Sequence, residues 1–271
     1  MDVTNRATVI LDLETLASAD SCRHCSLDAK EHRPKGWAAI PSSVNAIYCD
    51  EYEPIGWKNH AALGLSIGCY FSCTDQRLRF FDVHTLEATM RQFVETQPLL
   101  VTFNGIAFDF VLMRSLLHRR VDEMLACQEA GENQLDAEEL IALSDAFATL
   151  CATSYDLLAE IWRIDPVRKF ERGLNSLDAI AQASGLGAKL GHGAQAPRDW
   201  REGQYAKVIN YCADDVYKTK ALFEMVCEGK PLLRGDGQPI WLPNPLTPES
   251  SLLDESRLQY AARNILKEDT R

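Results

Sequence analysis

Two patterns of apolar residues alternate along this chain: short unbroken apolar runs, and longer stretches with an apolar residue every third or fourth position. Residues 8–13 (TVILDL) form a continuous, β-branched run that predicts a buried central strand. Residues 63–71 and 77–83 predict a strand pair joined across Thr74-Asp75-Gln76. Residues 84–96 have helical spacing, with Leu86, Met90, Phe93 and Val94 on one side. Residues 99–103 predict another buried strand, ended by Asn104-Gly105, and a helix follows through Phe108, Leu112, Leu116 and Leu117.

Residues 122–144 are acidic and helix-compatible, broken by the turn-like Gly131-Glu132-Asn133, and residues 152–163 predict a strand-to-helix unit. Asn175-Ser176 is a capping signal for a helix over 177–183, with Asp178 in its first turn. A glycine-rich loop at Gly185, Gly187, Gly191 and Gly193 precedes a helix over 205–226. Leu232-Leu233 and Ile240-Trp241-Leu242 flank Gly235-Asp236-Gly237, a hairpin signal, and an amphipathic helix is predicted over 255–267. Strands first, then alternating strands and helices, predict an α/β fold with a mixed sheet. The domain is expected to cover 1–230, with a loop-rich insertion at about 16–60 containing Pro34, Pro41 and Pro54. Residues 231–271 are read as a hairpin-and-helix appendage.

The 271 residues, 46% hydrophobic and 25% charged, are enough for a substantial core. No apolar run approaches the ~18 residues that cross a bilayer, and no basic segment leads into an apolar one at the N-terminus. With nine scattered cysteines, an odd number, a reducing cytoplasmic setting is the expectation, with no membrane association. The net charge of −11 argues against a nonspecific grip on extended duplex, which needs many Lys and Arg contacts to phosphate. It leaves room for an enzyme that holds a strand end through metal and a few basic groups.

Asp12 and Glu14 are two apart on the first strand, so their carboxylates share one face at the end of an apolar run. Two like charges in a partly buried position need a cation, and oxygen donors suit a hard divalent ion such as magnesium or manganese. The plain alternative is an exposed strand end leading to a cap at Thr15. Asp109 follows the second buried strand in the first turn of a helix, where a carboxylate also complements the helix dipole. Asn104 carries donors and an acceptor that suit a carboxylate or a ribose hydroxyl. Tyr211 and Asp215 are four apart and share a helical face. A surface ion pair of Asp215 with Lys218 is the competing reading, and Asp214 is read as the more exposed neighbour.

Asp12-x-Glu14, Asn104-x-x-x-Phe108-Asp109 and Tyr211-x-x-x-Asp215, in that order, resemble the DEDD superfamily of 3′–5′ exonucleases in its tyrosine branch. Asn175-Ser176-Leu177-Asp178 resembles the helix start before the last motif. The pattern is similar to the proofreading exonuclease domains of family-B DNA polymerases, over residues 7–228. The resemblance implies a ribonuclease H-like sheet flanked by helices and two-metal hydrolysis at a single-stranded 3′ end of DNA or RNA. It implies that Asp12 bridges two ions, Mg²⁺ or Mn²⁺, with Glu14 and Asp215 on the ion that activates water and Asp109 on the other. Two such ions about 4 Å apart stabilise the attacking and leaving oxygens together. Tyr211 would orient the water, and Phe108 or another aromatic would stack on the terminal base.

Two weaker signals remain. Cys22-x-x-Cys25 with His24 and His32 is similar to half of a zinc site, but the second ligand pair is absent, so zinc would need Cys49, or Cys69 and Cys73, to be recruited by folding. The glycine loop lacks the strand before and the helix start after that a phosphate cradle requires, so its reading is a connector or a loop bordering the substrate channel with Lys189 reaching a phosphate. Besides the exonuclease, the sequence allows a catalytically silent binding module of the same fold and a hydrolase of very short oligonucleotides.

Overall fold

The structure is a computed structural model that describes residues 6–24, 53–126, 132–191, 193–247 and 259. Its centre is a five-stranded mixed sheet in the order β3-β2-β1-β4-β5. β1 (Thr8–Thr15) pairs antiparallel with β2 (Leu65–Ser72), which pairs antiparallel with β3 (Arg77–Phe81). On its other side β1 runs parallel to β4 (Leu99–Thr102), and β4 parallel to β5 (Tyr155–Asp156). This is a ribonuclease H-like α/β arrangement.

The alternation along β1 sorts its side chains onto two separate cores. Val9, Leu11 and Leu13 join one apolar cluster with α2 (Leu86–Thr96), α3 (Asp109–Ala126) and α4 (Glu132–Cys151). Ile10 points the other way, into a cluster with α5 (Leu157–Ile164), α6 (Leu177–Ala183) and α8 (Tyr205–Cys227). Asp12 and Glu14 continue the Ile10 face, toward α8. A short α1 (His60–Leu63) precedes β2. The small hairpin of β6 (Leu232–Leu233) and β7 (Pro239–Ile240) packs Leu232 and Ile240 into the second cluster, as its turn residues predict.

Several boundaries differ from the sequence pattern. Leu63 closes α1 rather than opening β2, since Gly64 at φ 64° turns the chain between them. The helix expected from residue 84 starts at Leu86 because Asp82 and Thr85 form a hydrogen-bonded turn before it. The second acidic helix does not stop at 144 but runs to Cys151, carried by burial of Phe147, Ala148, Leu150 and Cys151. Beyond the glycine loop lies an unpredicted helix, α7 (Ala196–Arg201), with proline in its first turn. The absence of a following helix start is therefore corrected, although α7 has only six residues.

The described ends of the insertion close on each other. Residues 19–23 run beside 53–56 through a bridge between Cys22 and Pro54 and hydrogen bonds from the N–H groups of Ile55 and Gly56 to the carbonyls of Ser21 and Ala19. Cys22 is buried in this neck. Cys25 and His32, on which the zinc expectation depends, lie outside the described residues, as does the 255–267 helix apart from Gln259.

Candidate metal centre

β4 stops pairing with β1 at Ile10–Val101, so the carboxyl end of β1 projects past its parallel neighbour. Asp12, Glu14 and Asp215 converge there, each offering a carboxylate oxygen within 4.8 Å of the others. The convergence depends on α8 crossing the sheet on the Ile10 face. Val208, Cys212 and Val216 are fully buried there, and the Cys212 thiol donates to the Asp12 carbonyl oxygen at 3.4 Å. One turn of α8 beyond Tyr211 then aims Asp215 at the strand end.

Asp109, the fourth acid of the motif, comes from the other layer; it lies close enough to act on Asp12 electrostatically but is not one of the three carboxylates that meet within 4.8 Å. It is 4% exposed at the first turn of α3, where its own N–H and that of Leu13 favour the charged carboxylate against burial. Leu13 lies in the stretch of β1 that has run past β4. The loop before Asp109 is shaped by Asn104 at φ 75° and by Asp156. Asp156 accepts from the backbone N–H groups of Asn104 (3.0 Å), Ile106 (2.9 Å), Leu158 (3.0 Å) and Ala159 (3.1 Å). One buried carboxylate thus caps α5 and holds the loop that delivers Asp109. Nothing in the sequence motifs singled Asp156 out, although an Asp directly after a short apolar strand is a recognisable helix-capping signal.

Burial and mutual repulsion push these acids upward. The Glu14 carboxyl is raised to about 8 by loss of solvent and then by Asp215. Asp109 is raised to about 7 by burial and by Asp156. Asp12 is held well above the usual carboxylate range by burial and by Asp215, Asp109 and Glu14. Asp215 is also raised by burial, against the pull of Lys189.

The cation of this cluster is Lys189, whose ammonium forms an ion pair with Asp215 and also acts on Asp12 and Glu14. Its loop is pinned on both sides. The Lys189 N–H donates to Asp178 at 2.8 Å, and the Leu190 N–H donates to Asp214 at 3.1 Å. Lys218, the expected surface partner of Asp215, instead grips Asp214 with both carboxylate oxygens at 2.6 Å. The lysine that sequence reasoning aimed at a phosphate therefore lies among the carboxylates themselves.

Tyr211 is buried beneath the same loop, its ring covered by Gly191. Lys207, one turn earlier, lies 5.6 Å from the ring centroid and pairs with the buried Asp199 at 2.8 Å. The carboxylates open onto a cavity of about 640 Å³, whose walls include Asp12, Glu14, Lys189, Asp215, Asn104 and Phe108. Tyr211 and Asp109 are not among the residues lining it. The donor set is all oxygen, buried and overcharged for its surroundings, which fits a hard divalent cation and does not fit zinc bound through sulfur.

These features define a ribonuclease H-like domain with carboxylates gathered at the end of its central strand. Residues 81–230 match the model of a family described as a predicted 3′-5′ exonuclease related to the exonuclease domain of PolB. The match spans more than half of the chain, which belongs to this family. It contains Asp109, Tyr211 and Asp215. Asp12 and Glu14 lie before it and meet Asp215 only through the fold. Comparisons with curated proteins and with solved structures give no match. Among the described residues, no helix is long and apolar enough to cross a membrane.

Proposed function

We propose that this chain is a divalent-metal-dependent 3′–5′ exonuclease of the tyrosine branch, hydrolysing the terminal phosphodiester of single-stranded DNA or RNA. The observation that carries this reading is the meeting of Asp12, Glu14 and Asp215 within 4.8 Å, in a burial that raises all three carboxyls. Such an arrangement is costly without a cation, and it lies in a family of predicted exonucleases.

Asp12, Glu14 and Asp215 would hold one Mg²⁺ or Mn²⁺, and Asp12 with Asp109 a second. When bound, such ions lower the pKa of water and stabilise charge on the attacking and leaving oxygens. The chain's own residues supply orientation. Asp156 fixes the loop bearing Asn104 and Asp109 through the Asn104 and Ile106 N–H groups. Lys189 balances the acids in the metal-free protein, and with metal bound its ammonium is free to meet a substrate phosphate. Tyr211, held between Gly191 and Lys207, would orient the attacking water through its hydroxyl.

End-labelled oligonucleotides with Mg²⁺ or Mn²⁺ test the reading. Wild type should release mononucleotides from the 3′ end, and Asp12→Ala should lose at least about 1,000-fold in rate, the scale on which electrostatic stabilisation acts. Equal rates for the two proteins would remove the assignment. A preference for very short strands is a second reading, favoured by a cavity wall whose basic side chains are Lys189 and Arg198 alone among the described residues. Rates on dinucleotides against longer strands separate the two.

A further inference from the structure

The insertion returns to the body of the protein at Trp57, and this residue stands at the mouth of the carboxylate cavity. Trp57 is 69% exposed, yet it is one of the cavity's walls together with Asp12, Glu14 and Phe108. The indole therefore borders the carboxylates with most of its surface open to whatever enters the cavity. Its position is not that of a loose loop tip. The chain immediately before it is tied down by the Ile55 and Gly56 amides on Ser21 and Ala19, and Ile55 is buried. The chain after it enters α1, where Asn59 caps the helix and His60 packs edge-on against Phe108 at 5.6 Å. Trp57 itself meets Phe108 edge to face at 6.3 Å.

Phe108 is already partly covered by these neighbours and by the first apolar cluster. Trp57 is the aromatic with surface to offer. Charge points to the same occupant. A chain of net charge −11, with Lys189 and Arg198 as the basic walls of the cavity, has few phosphate contacts with which to hold a strand. Stacking on a nucleobase needs no counter-charge and tolerates every base.

We infer that Trp57 is a base-stacking platform for the substrate strand, contributed by the insertion and lying outside the span shared with the family. The inference rests on the exonuclease reading for the identity of the ligand. Trp57 thereby contributes to affinity for single-stranded nucleic acid and leaves the chemical step to the carboxylates.

The test is binding of a hydrolysis-resistant phosphorothioate oligothymidylate, followed by tryptophan fluorescence and by anisotropy of a labelled strand. Wild type, Trp57→Ala and Trp57→Tyr are compared, each also with an abasic strand carrying the same phosphates. Quenching should vanish in Trp57→Ala and Kd should rise about tenfold, with Trp57→Tyr restoring most of the affinity. On the abasic strand the alanine variant and wild type should bind alike. An unchanged Kd in Trp57→Ala would overturn the inference. So would equal weakening on both strands, which marks a purely structural role, or a wild type that binds neither strand. Quenching through Trp57 by a wild type that hydrolyses no 3′ end would remove the exonuclease reading and leave the stacking site. Hydrolysis with an unaltered Kd in Trp57→Ala would do the reverse.

Discussion

Gly191 lies against the face of the Tyr211 ring, in space that a Cβ would need. The contact fixes the tyrosine from one side while its place on α8 fixes it from the other, with Lys207 5.6 Å from the ring centroid. Gly191→Ala must therefore shift either the loop or the ring. If Tyr211 orients the attacking water as proposed, kcat should fall about 100-fold, the scale of a 1 Å misplacement. Manganese affinity by calorimetry should stay within a few-fold, since no carboxylate moves directly. Unchanged kcat would show that the ring's position does not matter to the reaction.

The raised carboxyls give the metal-free protein an inverted pH dependence. A carboxyl whose pKa is higher in the folded than in the unfolded state stabilises the fold below its unfolded value, near ~4, and that contribution is lost as pH rises through the folded value. For Asp109 and Glu14 the upper limits are about 7 and about 8. The Tm in chelator should therefore decline from pH 5 to pH 9 more steeply in wild type than in Asp12→Asn, which removes one of the repelling charges. Saturating Mn²⁺ binds only the deprotonated ligands, so the Tm increase it produces should grow over the same window. Identical pH slopes for the two proteins would contradict the burial of mutually repelling acids.

Lys189 and a divalent ion would neutralise the same carboxylates. Replacing it by methionine removes the competing ammonium, so manganese should bind Lys189→Met more tightly than wild type, by about three- to tenfold. If the freed ammonium then meets phosphate, KM for an oligonucleotide should rise in the same variant. Calorimetry and steady-state kinetics on one preparation check both. Weaker manganese binding would mean that the lysine holds the site together and does not occupy it.

Asp156 serves four backbone amides with one side chain. Asp156→Ala leaves several of them unmatched and should destabilise the protein by about 3–5 kcal/mol in urea unfolding. Asp156→Asn keeps one acceptor oxygen and should cost about 1–2 kcal/mol. The loop from Asn104 to Asp109 is the part expected to loosen first, visible as faster hydrogen exchange of the Ile106 amide.

Strand binding should depend only weakly on salt. If Lys189 and Arg198 are the phosphate contacts, the slope of log K against log salt is about −1.4, from roughly −0.7 per contact on a single strand. A slope of −4 or steeper would require a basic track elsewhere on the protein.

The sequence by itself determined the central strand, the strand pair, the small hairpin and the helix of Tyr211 and Asp215. The run or period of apolar residues marks the strands and the helix, and the Gly235-Asp236-Gly237 turn marks the hairpin. It also determined that Asp12 and Glu14 share a face, because that follows from strand geometry alone. Only the tertiary structure decided that this face meets Asp215, since α8 must cross the sheet to bring these distant residues together. The same holds for Lys189, Asp156, Gly191 and Trp57. Each lies in a loop or at an element's end, where no periodicity marks its direction, and each acts through a neighbour distant in sequence. A surface partner for Asp215 was readable locally in Lys218, and the fold instead gave Lys218 to Asp214 and Lys189 to Asp215. Helical spacing offers both acids to Lys218, and the loop pinned by Asp178 and Asp214 selects between them.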